Sequence, residues 1–396
     1  MAANVEDYSE VLLSFGNAVE DQEFLNELQF RLWSELLQRP TRNLQFPGSQ
    51  PVSFARQHLD ALEREDYYVC EKSDGVRYLL YYTSPYGRPT AYLIDRNFNC
   101  RELSGLTCPG KMKGTIHTDT LLDGELIYER SSDGGAFHFL IFDALLISGA
   151  NIMRHPLPRR LQYVQNDVVA PLKAKLQGDV GFAYPFKLDM KSMSKPYAIA
   201  QILELEIPQQ QHGNDGLIFT PVSDPYISGT CERLLKWKPS ELNSVDFKLI
   251  INAKASAGKT YELHVASRDS HRFFGYHRPD EKLDQFDQTV IECRYCPDEE
   301  EYHWEYIRNR LDKNSANYER VVDKIVESIK DNVTSQELIE RIPAIRRAWK
   351  AREARGVKEV RGVREVKEIK EVREVRGVRD PRDNREVQDP RDNREV

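Results

Sequence analysis

The most reactive arrangement in the chain is Glu71-Lys72-Ser73-Asp74-Gly75-Val76-Arg77. It sets a lysine ahead of an arginine, between the apolar-aromatic runs Tyr67-Tyr68-Val69 and Tyr78-Leu79-Leu80-Tyr81-Tyr82. A lysine amine is a nucleophile once it loses its proton, and nearby cations or desolvation ease that loss. Clusters downstream have the types to serve it. Asp123-Gly124-Glu125 and Asn214-Asp215-Gly216 are acid-glycine segments, and Glu125 and Asp215 suit sugar hydroxyls or a hard divalent cation. Lys236 and Lys238 alternate around Trp237, so on a strand they share a face. Arg308, Arg310, Asp312 and Lys313 form a last charged run. Taken singly, each has an ordinary reading. Asp-Gly pairs make hairpin turns, a lone Phe142 is core, and charge runs are solvated faces. Their order along one chain reverses that reading, most firmly for Lys72, Arg77, Glu125, Asp215, Lys236 and Lys238.

These residues need elements to carry them. Residues 21–38 predict an amphipathic helix, with Asp21 as N-cap, a Phe24, Leu28, Leu32, Leu36 stripe and Pro40 beyond it. From Gln45 to Ser244 short strands dominate, including 91–95, 120–128 and 137–147, with a helical interruption near 157–176 and a further strand at 182–190. This predicts an α+β domain built on antiparallel sheet over residues 1–244. About five strands follow in 245–317, as in a small OB-type barrel. Residues 318–353 read as helices: one at 318–332, then one opened by the capping box Thr334-Ser335-Gln336-Glu337 and interrupted at Pro343. Beyond 354 valine or isoleucine recurs every third residue, which fits neither helix nor strand; this low-complexity tail reads as disorder or weak helix.

The ordered motifs resemble the eukaryotic mRNA guanylyltransferases, or capping enzymes, of the covalent nucleotidyltransferase superfamily, which also contains ATP-dependent DNA and RNA ligases. The likeness runs from about Phe46 to Trp349, and the stretch at residues 46–54 is especially similar to fungal members. It implies a ligase-like nucleotidyltransferase domain followed by an OB-fold. It also implies that Lys72 attacks the α-phosphate of GTP, forms lysyl-GMP, and passes GMP to the diphosphate 5′ end of RNA. The family pattern assigns nucleotide contacts to Asp74, Arg77, Arg96, Glu125, Phe142, Lys191, Asp215, Lys236, Lys238 and Asp246. Phe142 would stack on the purine, and Lys191 would read guanine. Arg308, Asp312 and Lys313 would close over the outer phosphates. Convergence of Arg77, Lys236 and Lys238 would lower the pKa of Lys72. A divalent cation, Mg2+ or Mn2+, is implied, with Asp215 and Glu125 as candidate ligands. So are a nuclear setting, a separate RNA 5′-triphosphatase subunit, as for the stand-alone fungal enzymes, and docking to the phosphorylated C-terminal domain of RNA polymerase II.

Composition excludes other classes. The net charge of −7 argues against wrapping nucleic acid in bulk, but not against a local basic pocket for its end. No apolar run approaches the ~18 residues of a membrane span, and the acidic N-terminus has no signal core. Cys293 and Cys296 lack a second ligand pair for zinc, and no cysteine begins a C-x5-R phosphatase loop. Glu204 and Glu206, an E-x-E pair of the kind metal-dependent triphosphatases carry on strands, lie in a helix-like stretch. Two readings stay beside the capping one: an ATP-dependent polynucleotide ligase, and a non-catalytic module binding the polymerase tail or RNA 5′ ends.

Overall fold

The computed structural model describes residues 9–39, 45–131, 134–253, 258–268, 270–296, 302–310 and 313–375. Among them the strands form three sheets. In the largest, the order is Asn17–Ala18, Cys100–Ser104, Thr90–Ile94, Val76–Thr83, Thr120–Ser131, Gly134–Ile147, Lys187–Met190. It is antiparallel except for the last pair. The uninterrupted apolar run of Val76–Thr83 is explained by cover on both faces. Tyr78, Leu80 and Tyr82 pack with Val164, Val168 and Leu172 of the helical stretch 157–178. Leu79 and Tyr81 pack on the opposite side with Leu28 and Leu32 of the N-terminal helix and with Leu37, which caps it. That helix starts at Gln22 with the Asp21 carboxylate accepting from the Glu23 and Phe24 amides, and it continues through Leu36.

The second sheet has the order Ser49–Ser53, Gly229–Trp237, Asn214–Pro221, Tyr67–Ser73. Only one of its faces is apolar: Val69, Leu217, Phe219, Leu235 and Trp237 pack against Ile199, Ile202 and Leu338. Burying each such side chain contributes roughly 1.5–3 kcal/mol. The opposite face is left for chemistry. Lys72 is therefore a strand residue, not a turn residue. The link Asp74-Gly75 that follows carries the chain from the second sheet into the first. Gly75 fits there because a Cβ would lie 2.5 Å from the Leu126 carbonyl oxygen.

The third sheet is antiparallel, in the order His271–His277, Thr260–Ala266, Ser244–Asn252, Val290–Tyr295, Trp304–Asn309. This is the OB-type strand order. Across the seam between its end strands, the Tyr306 amide donates to His277 Nε2 at 3.1 Å. The helix Glu319–Asp331 seats Val322 and Ile325 in the core of this unit. Its C-cap Asn332 takes the left-handed conformation.

Several expectations need correction. The strand expected at 182–190 is only Lys187–Met190. The capping box forms, with Glu337 N donating to Thr334 Oγ1 and Thr334 N to Glu337 Oε2, but Pro343 does not interrupt the helix. It runs Ser335–Val375, with Pro343 unable to donate to the preceding turn. The tail from 354, read as disorder or weak helix, takes the helical alternative as far as Val375, in keeping with the helix propensity of its Lys, Arg and Glu. Residues 376–396 lie outside the described residues. Glu204 and Glu206 are helical, as expected, and the described cysteines are free thiols.

Candidate active site

Register sets the polar face of the second sheet. Cys70, Ile218 and Lys236 are cross-strand neighbours in one row. Two-residue periodicity then brings Lys72 and Lys238 to the same face as Lys236. Between the flanking strands the pairing slips from Asn214 to Leu217, forming a bulge. Gly216 makes it possible: its φ is +140°, and a Cβ there would lie 2.0 Å from the Trp237 carbonyl oxygen. The bulge aims Asp215 between the lysines. Lys72 Nζ is 2.7 Å from Asp215 Oδ1, and Lys238 Nζ is 2.5 Å from Oδ2. The Asn214 amide braces the bulge by donating to the Lys72 and Gly216 carbonyls at 3.0 and 3.2 Å.

The charges sort differently from the sequence expectation. Burial disfavours the Lys72 ammonium, but Asp215 and then Glu125 outweigh it and raise its pKa. The cations instead depress Lys236. Burial, then Lys238, Lys72, Arg96 and Lys313, push it down to about 7. Asp215 stays ionised, since its two lysines overcome its own burial. The resting amine is thus held as an ammonium by the carboxylate beside it, and attack requires that hold to be released.

Arg77 does not join the lysines. Its Nε and Nη2 donate to Asp123 Oδ1 and Oδ2 at 2.9 and 2.7 Å, and its Nη1 donates to the Ser49 carbonyl at 2.6 Å. The Tyr226 hydroxyl donates to Asp123 Oδ2 at 2.5 Å and accepts from the Ser49 amide at 2.9 Å. Ser49, Arg77, Asp123 and Tyr226 therefore close a ring of hydrogen bonds that ties the edge of the second sheet to the first. The guanidinium also lies 5.5 Å from the Phe46 ring centre and 5.3 Å from that of Phe142. Arg77 acts as the frame on which Phe142 rests.

Phe142 lines a cavity of about 120 Å3 with Cys70, Ile218 and Cys231. At its polar end, Lys191 Nζ donates to Ser73 Oγ at 2.7 Å and lies 3.2 Å from Glu71 and 3.8 Å from Glu125. Burial works against the Glu71 carboxylate, yet His212, Lys191 and Ser73 together hold its pKa at about 2. Apolar walls with one fixed ammonium suit a flat heterocycle with an acceptor edge. Asp143, beside Phe142, is held bidentately by the buried Arg160 at 2.7 and 2.8 Å.

This cavity shares Lys72, Arg96 and Glu125 with a cleft of about 1270 Å3. Asp74, Lys236 and Lys238 line one side of the cleft, and Asp246, Arg308, Arg310 and Lys313 line the other. Asp246 is buried and bonded to Lys313 and, at 2.8 Å, to Arg310 Nη1, so it organises cations. Arg308 Nε donates to Glu292 at 2.8 Å. Asp312 lies outside the described residues. Every other residue singled out from sequence borders one of the two cavities. The sequence reading gives no role to Glu71, Asp123, His212, Glu292 or Tyr226. Glu71 and Asp123 sit inside quoted motifs, whereas Glu292 and Tyr226 carry no local signal. Among the described residues no group of three or more His, Cys, Asp or Glu is placed to hold a metal ion. Asp215 and Glu125 both line the cleft, and each oxygen of Asp215 is already bonded to a lysine.

The family profile described as mRNA capping enzyme, catalytic domain, matches residues 14–240, and that described as mRNA capping enzyme, C-terminal domain, matches 242–339. The mRNA-capping enzyme subunit alpha of Schizosaccharomyces pombe is 37% identical over 334 residues, covering 78% of this chain and 82% of that protein. The subunit alpha of Saccharomyces cerevisiae is 31% identical over 388 residues, covering 81% and 83%. Among solved structures, a mycobacterial DNA ligase D complexed with ATP aligns at 15% identity, with a TM-score of 0.38, over 68% of this chain and 96% of that one. By sequence, this chain belongs to the mRNA capping enzyme family.

Proposed function

We propose that the chain is an mRNA guanylyltransferase working through a lysyl-GMP intermediate. The observation that carries this is Lys72 itself, bonded to Asp215 in a field of lysines and opening onto both a base-sized cavity and a phosphate-sized cleft. GTP places its purine against Phe142 with Lys191 at its edge, and its triphosphate along Lys236, Lys238, Arg308 and Lys313. The phosphates compete with Asp215 for the lysines, and Lys72 gives up its proton to water in the cleft that it lines. Its Nζ attacks the α-phosphorus, the bond to the β-phosphate oxygen breaks, and pyrophosphate leaves. In the second step a terminal oxygen of diphosphate-ended RNA attacks the same phosphorus. The phosphorus–Nζ bond breaks, and the amine is regenerated on taking up a proton. Asp215 and Glu125 would hold a Mg2+ or Mn2+ ion accompanying the triphosphate, and that ion would supply charge neutralisation at the reacting phosphate. A separate RNA 5′-triphosphatase that prepares the acceptor, docking to the phosphorylated polymerase tail, and a nuclear location belong to this reading through the family.

The test is incubation with radiolabelled GTP or ATP, followed by mass mapping of the adduct. Label from GTP on Lys72, absent in a folded Lys72→Ala protein, is the expected result. Preferential labelling by ATP would make the chain a ligase-type enzyme, and an adduct surviving Lys72→Ala would remove the assigned nucleophile.

A further inference from the structure

We propose that the outer face of the strands Thr260–Ala266 and His271–His277 is a track for single-stranded RNA, taking nucleotides downstream of the 5′ end that reacts in the cleft. The proposal rests on the guanylyltransferase reading. Pairing places Lys248, His264 and Phe273 in one cross-strand row, and Ile250, Glu262 and Tyr276 in the next. The inner face of these strands is ordinary core, with Tyr261, Leu263 and Val265 buried. The outer face instead leaves two large rings in solvent. Phe273 is 44% exposed and Tyr276 49%, with ring centres 4.9 Å apart. The His264 ring meets Phe273 edge-on at 5.8 Å.

One cation, Lys248, shares the row of His264 and Phe273, and Arg268 lies in the hairpin that joins the two strands. His271 feels the same field, since burial and then Lys248 and His264 hold its pKa down. His264 Nδ1 and His271 Nε2 are buried atoms with no hydrogen-bond partner among the described residues. Exposed rings interleaved with cations suit a chain whose bases present π faces and whose backbone is anionic. A purely apolar protein segment would leave the Lys248 ammonium facing it without a counter-charge. The face is also the one OB-folds use for oligonucleotides. Finally, it is continuous with the reaction site: Ala266 and Ser267, at the end of the first strand, line the cleft with Arg308 and Lys313.

The test uses the full chain, the variant Phe273→Ala/Tyr276→Ala and, separately, Lys248→Glu, which keeps both rings. The probe is a fluorescent 5′-diphosphate oligoribonucleotide of about 12 nucleotides, with one of about 3 as the short control. The double variant is expected to bind the longer RNA about tenfold more weakly. It should raise KM for capping that RNA while lysyl-GMP formation and transfer to the short acceptor stay unchanged. Lys248→Glu should lower the slope of log affinity against log salt by about 0.7. Wild-type binding and capping of the longer RNA by both variants would overturn the proposal. So would intact RNA binding with lost retention of a phosphorylated polymerase-tail peptide, which would make the face a protein-docking surface. Failure of the unmodified chain to form an adduct with GTP would instead strike the guanylyltransferase reading, so the two failures are told apart.

Discussion

Replacing Asp123 by alanine should damage this protein more than replacing any surface acid, and the ring around Arg77 sets the size of the effect. The Arg77 side chain is 9% exposed and Asp123 is fully buried. Without the carboxylate, the buried guanidinium keeps its charge with no counter-charge bonded to it, which costs about 3–5 kcal/mol. That is a large share of the roughly 5–15 kcal/mol that holds a typical protein folded. Tyr226→Phe removes one hydrogen bond to a charged group and leaves the Ser49 amide without its acceptor, for about 1–3 kcal/mol. Removing both charges together, Asp123→Leu with Arg77→Met, should recover much of the single-variant loss, because no buried charge is then stranded. Urea unfolding without nucleotide reads all of these from the midpoint at constant slope. In GTP assays, Asp123→Ala should raise KM, since Arg77 frames Phe142. A loss below about 1 kcal/mol for Asp123→Ala, or a pairwise coupling below about 0.5 kcal/mol in the double-mutant cycle, would refute the reasoning. Arg77 would then be held by its aromatic neighbours alone.

Three further outcomes follow from the site. Lys236 has a pKa of about 7, so above that pH it is largely neutral in the free protein, and a bound triphosphate recharges it. Calorimetry with a non-hydrolysable GTP analogue near pH 8, in buffers of different ionisation heat, should therefore register proton uptake. Lys236→Arg should abolish that uptake, and equal heats in all buffers for the unmodified protein would contradict the assignment. Glu71 falls from its usual 4.5 to about 2 on folding, so its contribution is present above pH 4.5 and lost as pH drops toward 2. The loss is about 3 kcal/mol at most, and Glu71→Gln should flatten the acid limb of a stability–pH curve. Gly216→Ala forces a left-handed alanine against the Trp237 carbonyl, so thermal melting should show destabilisation of about 1–3 kcal/mol, and adduct formation should slow as Asp215 is displaced.

The elements that were legible from sequence are those whose information is local. Asp21, the capping box at Thr334 and the valine-isoleucine face of Glu319–Asp331 announce helices through neighbours a few residues apart. Lys236 and Lys238 share a face because strand periodicity requires it. What stayed hidden depends on partners distant in sequence. Nothing near Arg77 signals that Asp123, on a neighbouring strand, and Tyr226, in a loop of the other sheet, close around it. The protonation of Lys72 is hidden in the motifs for the same reason. Counting cations in the motifs omits the bulge that swings Asp215 between them, and a carboxylate at 2.7 Å outweighs cations farther off. Pro343 shows the opposite limit, where a strong local breaker is overridden inside a long helix.

The short link Asp74-Gly75 has one more consequence. Lys72 belongs to one sheet and Glu125 to the other, and each sheet has its own apolar core. The proposed reaction centre therefore draws its residues from two sheets whose apolar cores are distinct. Small repacking changes far from the pocket, in either layer alone, would shift the attacking nitrogen relative to the opposing carboxylate. The catalytic rate can thus be adjusted from the interior of the protein, with every residue that touches the nucleotide left as it is.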